Sequence, residues 1–392
     1  MDPKSMNNEL LRQVRTAVET VDSLNATMPY EHFARCVPKE DILKTRKVIL
    51  TGCGDSYCAG IAARPVYENP GINNVGAVKA EAWRNIEFTR YYDTYRRWWI
   101  GEGNDIPLVL GVSISGKVRR VIEAMARTNH YGGVSVAFTD NPESDFAKEA
   151  QHVVSLGVPE NHPAPCVTSY FGSTFGLMAF GLYHGVARGK MTEEQEREAR
   201  QALVDYAHAY TPAVMEDLEN KMLAITQKWI DAGVDNMDFI GDGADYATAF
   251  YGSAKMVESF GGLTTNDDSE DWNHINYFMK NPEKVGTFVV ANTTCPSFDR
   301  LLETIHTCTV IGRPTVVITD GDASLFPDGV DVITLPKPKY PWANPLMQHI
   351  PMDYVAAFWG LIKGIPDFRP DSPVHQLDEG AKRFRESAVV II

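Results

Sequence analysis

The stretch KVILTGCGDSYCAGIAARPVYE, residues 47–68, begins as an apolar run and breaks at Gly52-Cys53-Gly54-Asp55-Ser56. It then resumes with helical spacing. The same design recurs as NMDFIGDGADYATAFYGSAKMVES, residues 236–259, so that GCGDSY aligns with GDGADY. Its surroundings recur too. PLVLGVSIS (107–115) reads as a second strand. GKVRRVIEAMARTNH (116–130) reads as a helix with Val118, Val121, Ile122, Met125 and Ala126 on one face. GGVSVAFTD (132–140) and AQHVVSLGV (150–158) read as further strands. In the second half VGTFVVANTT (285–294) and RLLETIHTCTVIGRPTVVITDGD (300–322) take the corresponding places. Strands that are continuous apolar runs, alternating with helices, predict parallel sheets covered on both faces.

The fold class is therefore α/β, with two duplicated, doubly wound domains about 190 residues apart, each a parallel sheet flanked by helices. The expected organisation is an N-terminal helical segment (1–45), a first α/β domain (46–195), a linking helix (196–234), a second α/β domain (235–370) and a C-terminal tail (371–392). Leu10, Leu11, Val14, Val18 and Val21 give the N-terminal segment an amphipathic helical spacing. Further helices are predicted at about 169–187 and 193–232, and the Pro-rich stretch LPKPKYPWANP (335–345) leads into a final helix.

A formal charge of -14, from 37 basic and 51 acidic residues, argues against nucleic acid as a partner. An anionic ligand would need a local cluster of donors to overcome that field. No apolar run approaches the ~20 residues that span a bilayer, so no membrane association is expected and the chain reads as cytoplasmic. The six cysteines (Cys36, Cys53, Cys58, Cys166, Cys295, Cys308) form no CxxC pair and read as reduced thiols.

Turns from parallel strands into helices present backbone N–H groups at the positive end of a helix, where anions bind. Two such turns, Gly52-Cys53-Gly54-Asp55-Ser56 and Ser113-Ile114-Ser115-Gly116, fall at the carboxyl ends of neighbouring strands, with Lys117, Arg119 and Arg120 close behind. Ser and Gly also suit such turns for purely structural reasons. It is the pairing of the two loops that favours an anion site. The second-half loop ANTTCPSFD lacks the Ser-x-Ser-Gly pattern, so one anion site per chain is expected. Neither GCGDSY nor GDGADY is a dinucleotide fingerprint, because tyrosine stands where the third glycine belongs, and no Gly-Lys-Ser/Thr marks a P-loop. The loop NDDSEDWNHIN holds Asp267, Asp268, Glu270 and Asp271 but lacks calcium-loop spacing; no metal site is predicted.

GCGDSY, SISGKV and VAFTDNPESDFAKEA together resemble the sugar isomerase (SIS) domain family. From about residue 45 the duplicated layout resembles the double-SIS isomerase domain of glucosamine-6-phosphate synthase and its fructosamine-phosphate deglycase relatives. The resemblance implies SIS-type domains and a cofactor-independent aldose–ketose isomerase or deglycase acting on a sugar with an anionic group at C6. In AFYGSAKMVESF it implies that Glu258 shuttles the proton, with Lys255 one turn before it. His274, sixteen residues beyond Glu258, matches the histidine credited with ring opening. The matching substrate contacts are Cys53, Gly54, Asp55 and Ser56 in one loop and Ser113, Ser115, Gly116 and Lys117 in the other. Val167, Thr168 and Ser169 match the family's substrate loop. Glu258 would reach the same cleft, His274 would come from a neighbouring subunit, and a homodimer or higher oligomer would be the active form.

The expected chemistry is simple. Moving a carbonyl between C1 and C2 requires ring opening, then removal of a carbon-bound proton and its return to the adjacent carbon. One carboxylate over the enediol face can do both, with burial raising its pKa, and a histidine can protonate the ring oxygen near neutral pH.

Two departures from the family qualify this. Val118 stands where a threonine is usual, which removes a hydroxyl from the phosphate cradle while Lys117 and Arg119 add charge. That favours, as an alternative, a sulfonate of the sulfoquinovose type. In the tail, Glu386 occupies the position of a catalytic lysine, leaving Lys382, Arg383 or Arg385 as replacements; Arg385 is the expected substrate contact. No glutaminase half precedes the first unit in this sequence, so amination from glutamine is not expected. The competing class is a non-catalytic sugar-phosphate sensor, which should lack the Glu258/His274 pair or carry a DNA-binding segment. A metal-dependent hydrolase lacks a ligand cluster.

Overall fold

The computed structural model describes residues 3–69, 78–92, 106–160, 164–365 and 386–392. The chain forms two compact units. One comprises Glu19–Glu160, Thr168–Val204 and Leu377–Ile392; the other comprises Met1–Val18, Asn161–Val167 and Asp205–Gln376.

The first unit is built on a sheet of β1 (Lys47–Gly52), β2 (Lys79–Arg84), β3 (Pro107–Val112), β4 (Val134–Thr139) and β5 (His152–Ser155). All neighbouring strands are parallel, in the order β2-β1-β3-β4-β5. Every residue of β1, β3 and β4 is buried, which is why these strands read as unbroken apolar runs. Ile49, Val109 and Ala137 pack against Val121, Met125 and Phe146 beneath the Arg119–His130 helix. Each large apolar side chain so buried contributes roughly 1.5–3 kcal/mol.

The second unit repeats the plan with β6 (Asn236–Ile240), β7 (Leu263–Asp267), β8 (Val285–Val290), β9 (Thr315–Thr319) and β10 (Asp331–Thr334), again all parallel. Its order, β10-β9-β8-β6-β7, is that of the first sheet read from the opposite edge. Two doubly wound parallel sheets flanked by helices are thus the architecture. In each, the winding reverses between the first and third strands, at β1/β3 and β6/β8, and that reversal opens a crevice beyond the carboxyl ends of those strands.

Three local features differ from the sequence reading. The edge strands β2, β7 and β10 are additional; KAEAWR, LTTND and DVIT are partly exposed and carry no long apolar run. The expected helix at 193–232 is two helices, Glu193–His208 and Pro212–Asp231, because Pro212 opens a new helix capped by Thr211. The N-terminal segment contains four short helices rather than one, from Glu9–Arg15 to Lys39–Lys44. No helix among the described residues is long and apolar enough to cross a membrane.

Candidate functional site

In the first unit, β1 ends at Gly52 and the chain turns directly into the Asp55–Glu68 helix. A Cβ on Gly52 would lie 2.6 Å from the backbone carbon of Ser56, so only glycine permits this close approach. Gly54 caps the helix with φ 55, placing Asp55 and Ser56 in its first turn. The Cys53 sulfur accepts a hydrogen bond from Asn85 Nδ2 at 3.0 Å.

After β3, Ser113 through Val118 form the adjoining loop. Gly116 has φ 65, and a Cβ there would fall 2.1 Å from Ser144 Oγ, so this turn also requires glycine. Asn141 Nδ2 donates to Ser115 O at 3.2 Å and ties the loop to the end of β4. Ser113 is 3% exposed, and its Oγ is buried without a hydrogen-bond partner. An orphaned buried hydroxyl at such a position calls for an explanation, and a ligand is one. Val118, at the N-cap of the Arg119–His130 helix, supplies no side-chain hydrogen bond to that helix's first turn.

These loops border a cleft of about 980 Å³ whose walls include Cys53, Ser115, Lys117, Arg120, Asn141 and Ser387. Of its cations, Arg119 and Arg120 are engaged. Arg119 Nε donates to Ser387 O at 3.0 Å, and its Nη1 faces Asp145 at 3.4 Å. Arg120 pairs with the buried Glu123 and donates to Ser387 Oγ at 3.0 Å and to Ala388 O. Arg90 Nε and the Val390 N–H complete the shell of Glu123 at 2.7 and 2.8 Å. Residues 387–392 therefore lie along the Arg119–His130 helix, with Val389 packed on its core and Ile392 O accepting from Tyr131 Oη at 2.9 Å. Lys117 remains exposed, with no ion pair among the described residues. Thr168 and Ser169 begin the Val167–Ala187 helix, where Thr168 is buried. Arg385, with Lys382 and Arg383, lies outside the described residues.

The second unit places acids at the matching positions. Asp245, aligned with Ser56, accepts from Gln348 Nε2 at 3.0 Å and from Asn292 Nδ2 at 2.9 Å. Burial raises its carboxyl to about 6 against those two hydrogen bonds, with a further push from Asp320 and Asp242. Asp242 is held by Ser269 and Ser297. Carboxylates fill this counterpart, their amide donors already committed to Asp245, and they repel an anion.

The Asp245–Phe260 helix carries Lys255 and Glu258. The Lys255 side chain is fully buried, its Nζ 2.5 Å from Glu258 Oε2 and 5.0 Å from the centre of the Tyr251 ring. The Glu258 side chain is 41% exposed, so the burial expected for it is not supplied within this unit. His274 ends the Ser269–His274 helix, exposed, with Nε2 3.0 Å from Glu270 Oε1. Glu258 and His274 thus belong to one unit, but each is bonded to a different neighbour. Asp267, Asp268 and Asp271 bring carboxylate oxygens within 4.8 Å of one another, and Asp268 is occupied in capping the His274 helix.

Sequence reasoning missed the anchor beneath His274. Asp238, on β6, and Arg313, ahead of β9, form a completely buried ion pair at 2.9 Å. The signal was present: an aspartate inside the buried strand NMDFI needs a partner.

No family model matches the chain. It is 25% identical over 371 residues to the glutamine–fructose-6-phosphate aminotransferase (isomerizing) of Zymomonas mobilis, covering 92% of this chain and 56% of that protein. The Clostridium tetani protein of the same name is 22% identical over 337 residues, covering 85% and 52% respectively. The chain thus spans about half the length of the curated relatives it matches. Among solved structures, it resembles the C-terminal domain of glucosamine-fructose-6-phosphate aminotransferase from Francisella tularensis. That match has a TM-score of 0.78 and 16% identity, and covers 94% of this chain and 100% of that one. The tagatose-6-phosphate ketose/aldose isomerase of Escherichia coli matches with a TM-score of 0.66 and 14% identity, covering 92% and 93%.

Proposed function

We propose, taking as premise that the chain is a double-SIS protein, that it is a cofactor-independent aldose–ketose isomerase or deglycase for a C6-anionic sugar. The observation that carries this reading is the buried, unpartnered Ser113 Oγ in the loop at the β1/β3 reversal whose Ser115, Gly116 and Lys117 line the cleft. The relatives named for fructose-6-phosphate and for ketose/aldose isomerisation support it. In this reading the loops at Cys53–Ser56 and Ser113–Lys117 bind the anionic end, the anion resting on Ser56, Ser113 and Ser115, and Thr168 and Ser169 belong to the substrate loop. Binding energy from that non-reacting group positions C1 and C2. Glu258, oriented by Lys255, removes a proton from one carbon and returns it to the next, passing through an enediol. His274 protonates the ring oxygen to open the sugar.

A homodimer sharing the site between subunits belongs to the same proposal. Ile275 and Phe278, close in sequence to His274, and Leu263 are apolar side chains 61%, 74% and 73% exposed, which a second copy would cover. The anion also has a second reading. Val118 brings no hydroxyl, and Arg119 and Arg120 are engaged by Asp145, Glu123 and residues 387–388. Among the described residues Lys117 is then the remaining cation of the cleft, which suits a monoanionic sulfonate better than a phosphate carrying about −2.

The test is hydrogen–deuterium exchange at C1 and C2 of C6-phosphorylated and C6-sulfonated sugars in deuterated water, with Glu258→Gln alongside. Exchange by the native protein that the variant loses is the expected result, and the active sugar identifies the anion. Binding without exchange for every sugar would instead indicate a sensor.

A further inference from the structure

We propose that the buried Asp238–Arg313 pair is the positioning device that fixes His274 for ring opening; this rests on the reading of His274 given above. The pair lies beneath the short segment that joins β7 to residue 278 and carries His274. Asp238 Oδ1 accepts from Thr265 Oγ1 at 2.6 Å and from Asn276 Nδ2 at 3.1 Å. Its Oδ2 accepts from Trp272 Nε1 and from Arg313 Nη1, the latter at 2.9 Å. Arg313 Nη2 donates to the Asn276 carbonyl, and its guanidinium lies 5.0 Å from the centre of the Trp272 ring. One carboxylate and one guanidinium thus hold the segment at Thr265, Trp272 and Asn276, on both sides of His274.

The contrast along this segment is informative. Trp272 is fully buried and Asn276 is 6% exposed, while the His274 side chain between them is 69% exposed. Placing a charged pair in an apolar interior costs desolvation that a hydrophobic pair would avoid. A core needed only for stability would do better with apolar residues. A pair that satisfies four donors on one carboxylate gives the segment a single geometry. Among the described residues the exposed imidazole bonds only to Glu270, so its position depends on how its segment is held: by this pair at Trp272 and Asn276, and by the Asn273 amide donating to Thr304 Oγ1 at 2.9 Å. Asp238 and Arg313 do not reach the sugar; they act through His274.

The experiment compares fructose 6-phosphate with 5-deoxyfructose 6-phosphate, which has no hydroxyl with which to close its ring, or the two matching C6-sulfonates if those are the sugars exchanged. Proton exchange is measured for the native protein, Asp238→Asn, the double variant D238L/R313M and His274→Ala. The double variant replaces the ion pair by apolar side chains, an exchange that is often neutral for folding, and so separates positioning from stability. The expected result is a loss on the order of 10–100-fold on the ring-closing sugar in all three variants, with KM little changed. On the open-chain analogue each variant should stay within about twofold of the native rate, as no ring needs opening there. Equal losses on both sugars in the well-folded double variant, or no loss on either, would overturn the proposal. If His274→Ala alone shows the split, the clamp is merely structural and the proposal falls. If the native protein exchanges neither sugar, the reading of the site fails and takes this inference with it.

Discussion

Asp245→Asn offers a test in which the sign of a stability change depends on pH. The buried Asp245 carboxyl is raised from the ordinary 3.8 to about 6, chiefly by desolvation. The folded protein therefore holds this proton more tightly than the unfolded chain does. The resulting stabilisation is fully present below about 3.8, declines as pH rises, and is gone above about 6. Relative to acid pH, the ionised carboxylate then costs the fold roughly 3 kcal/mol, at 1.36 kcal/mol per pH unit. Asparagine cannot ionise and escapes that cost. It also places an amide against Asn292 Nδ2, which now donates to both Asp245 and Gln348 Oε1. One hydrogen bond is lost on rearrangement, about 1 kcal/mol. The variant should be about 2 kcal/mol more stable than native at pH 7.5 and about 1 kcal/mol less stable near pH 4. Thermal unfolding at the two pH values would show this as a shift of roughly 4–8 °C upward at pH 7.5 and a smaller downward shift near pH 4. A difference of the same sign and size at both values would refute the argument, since Asp245 would then not titrate in that window.

Ser113→Ala should leave thermal stability within about 0.5 kcal/mol of native, since the hydroxyl has no protein partner to lose, yet weaken sugar binding about fivefold by calorimetry. Unchanged affinity would remove Ser113 from the site. Gly116→Ala should lower stability by about 1–3 kcal/mol, since its Cβ would meet Ser144 Oγ at 2.1 Å on a backbone with φ 65; thermal unfolding measures it. Glu123→Ala should cost about 3 kcal/mol by removing the buried carboxylate that Arg90, Arg120 and the Val390 N–H share, and amide exchange at Val390 should accelerate; protection equal to native would show that the segment is held by other contacts.

The duplicated sheets were legible because packing a helix back over its strand demands glycine in both halves. A Cβ on Gly52 or Gly241 would lie within 2.7 Å of the following helix's backbone. The edge strands were hidden for the opposite reason: one neighbour and partial exposure allow residues such as Lys79, Glu81 and Asn266. The turn chemistry at Ser113–Gly116 could be read locally. The destination of Arg119 and Arg120 could not, because their partners Ser387 and Ala388 stand 267 and 268 positions away. Asp238 and Arg313, 75 positions apart, are similarly silent until the fold joins them.

The docking of residues 387–392 sets a clock on synthesis. Val390 is added 267 positions after Glu123, whose carboxylate its amide caps. At 5–20 residues per second the interval is roughly 13–53 s. Throughout that time the sheet of β1–β5 can be complete in strands, while the Arg119–His130 helix still has Val389's place on its core open to water. The cleft wall formed by Ser387 is therefore among the last features the first unit acquires.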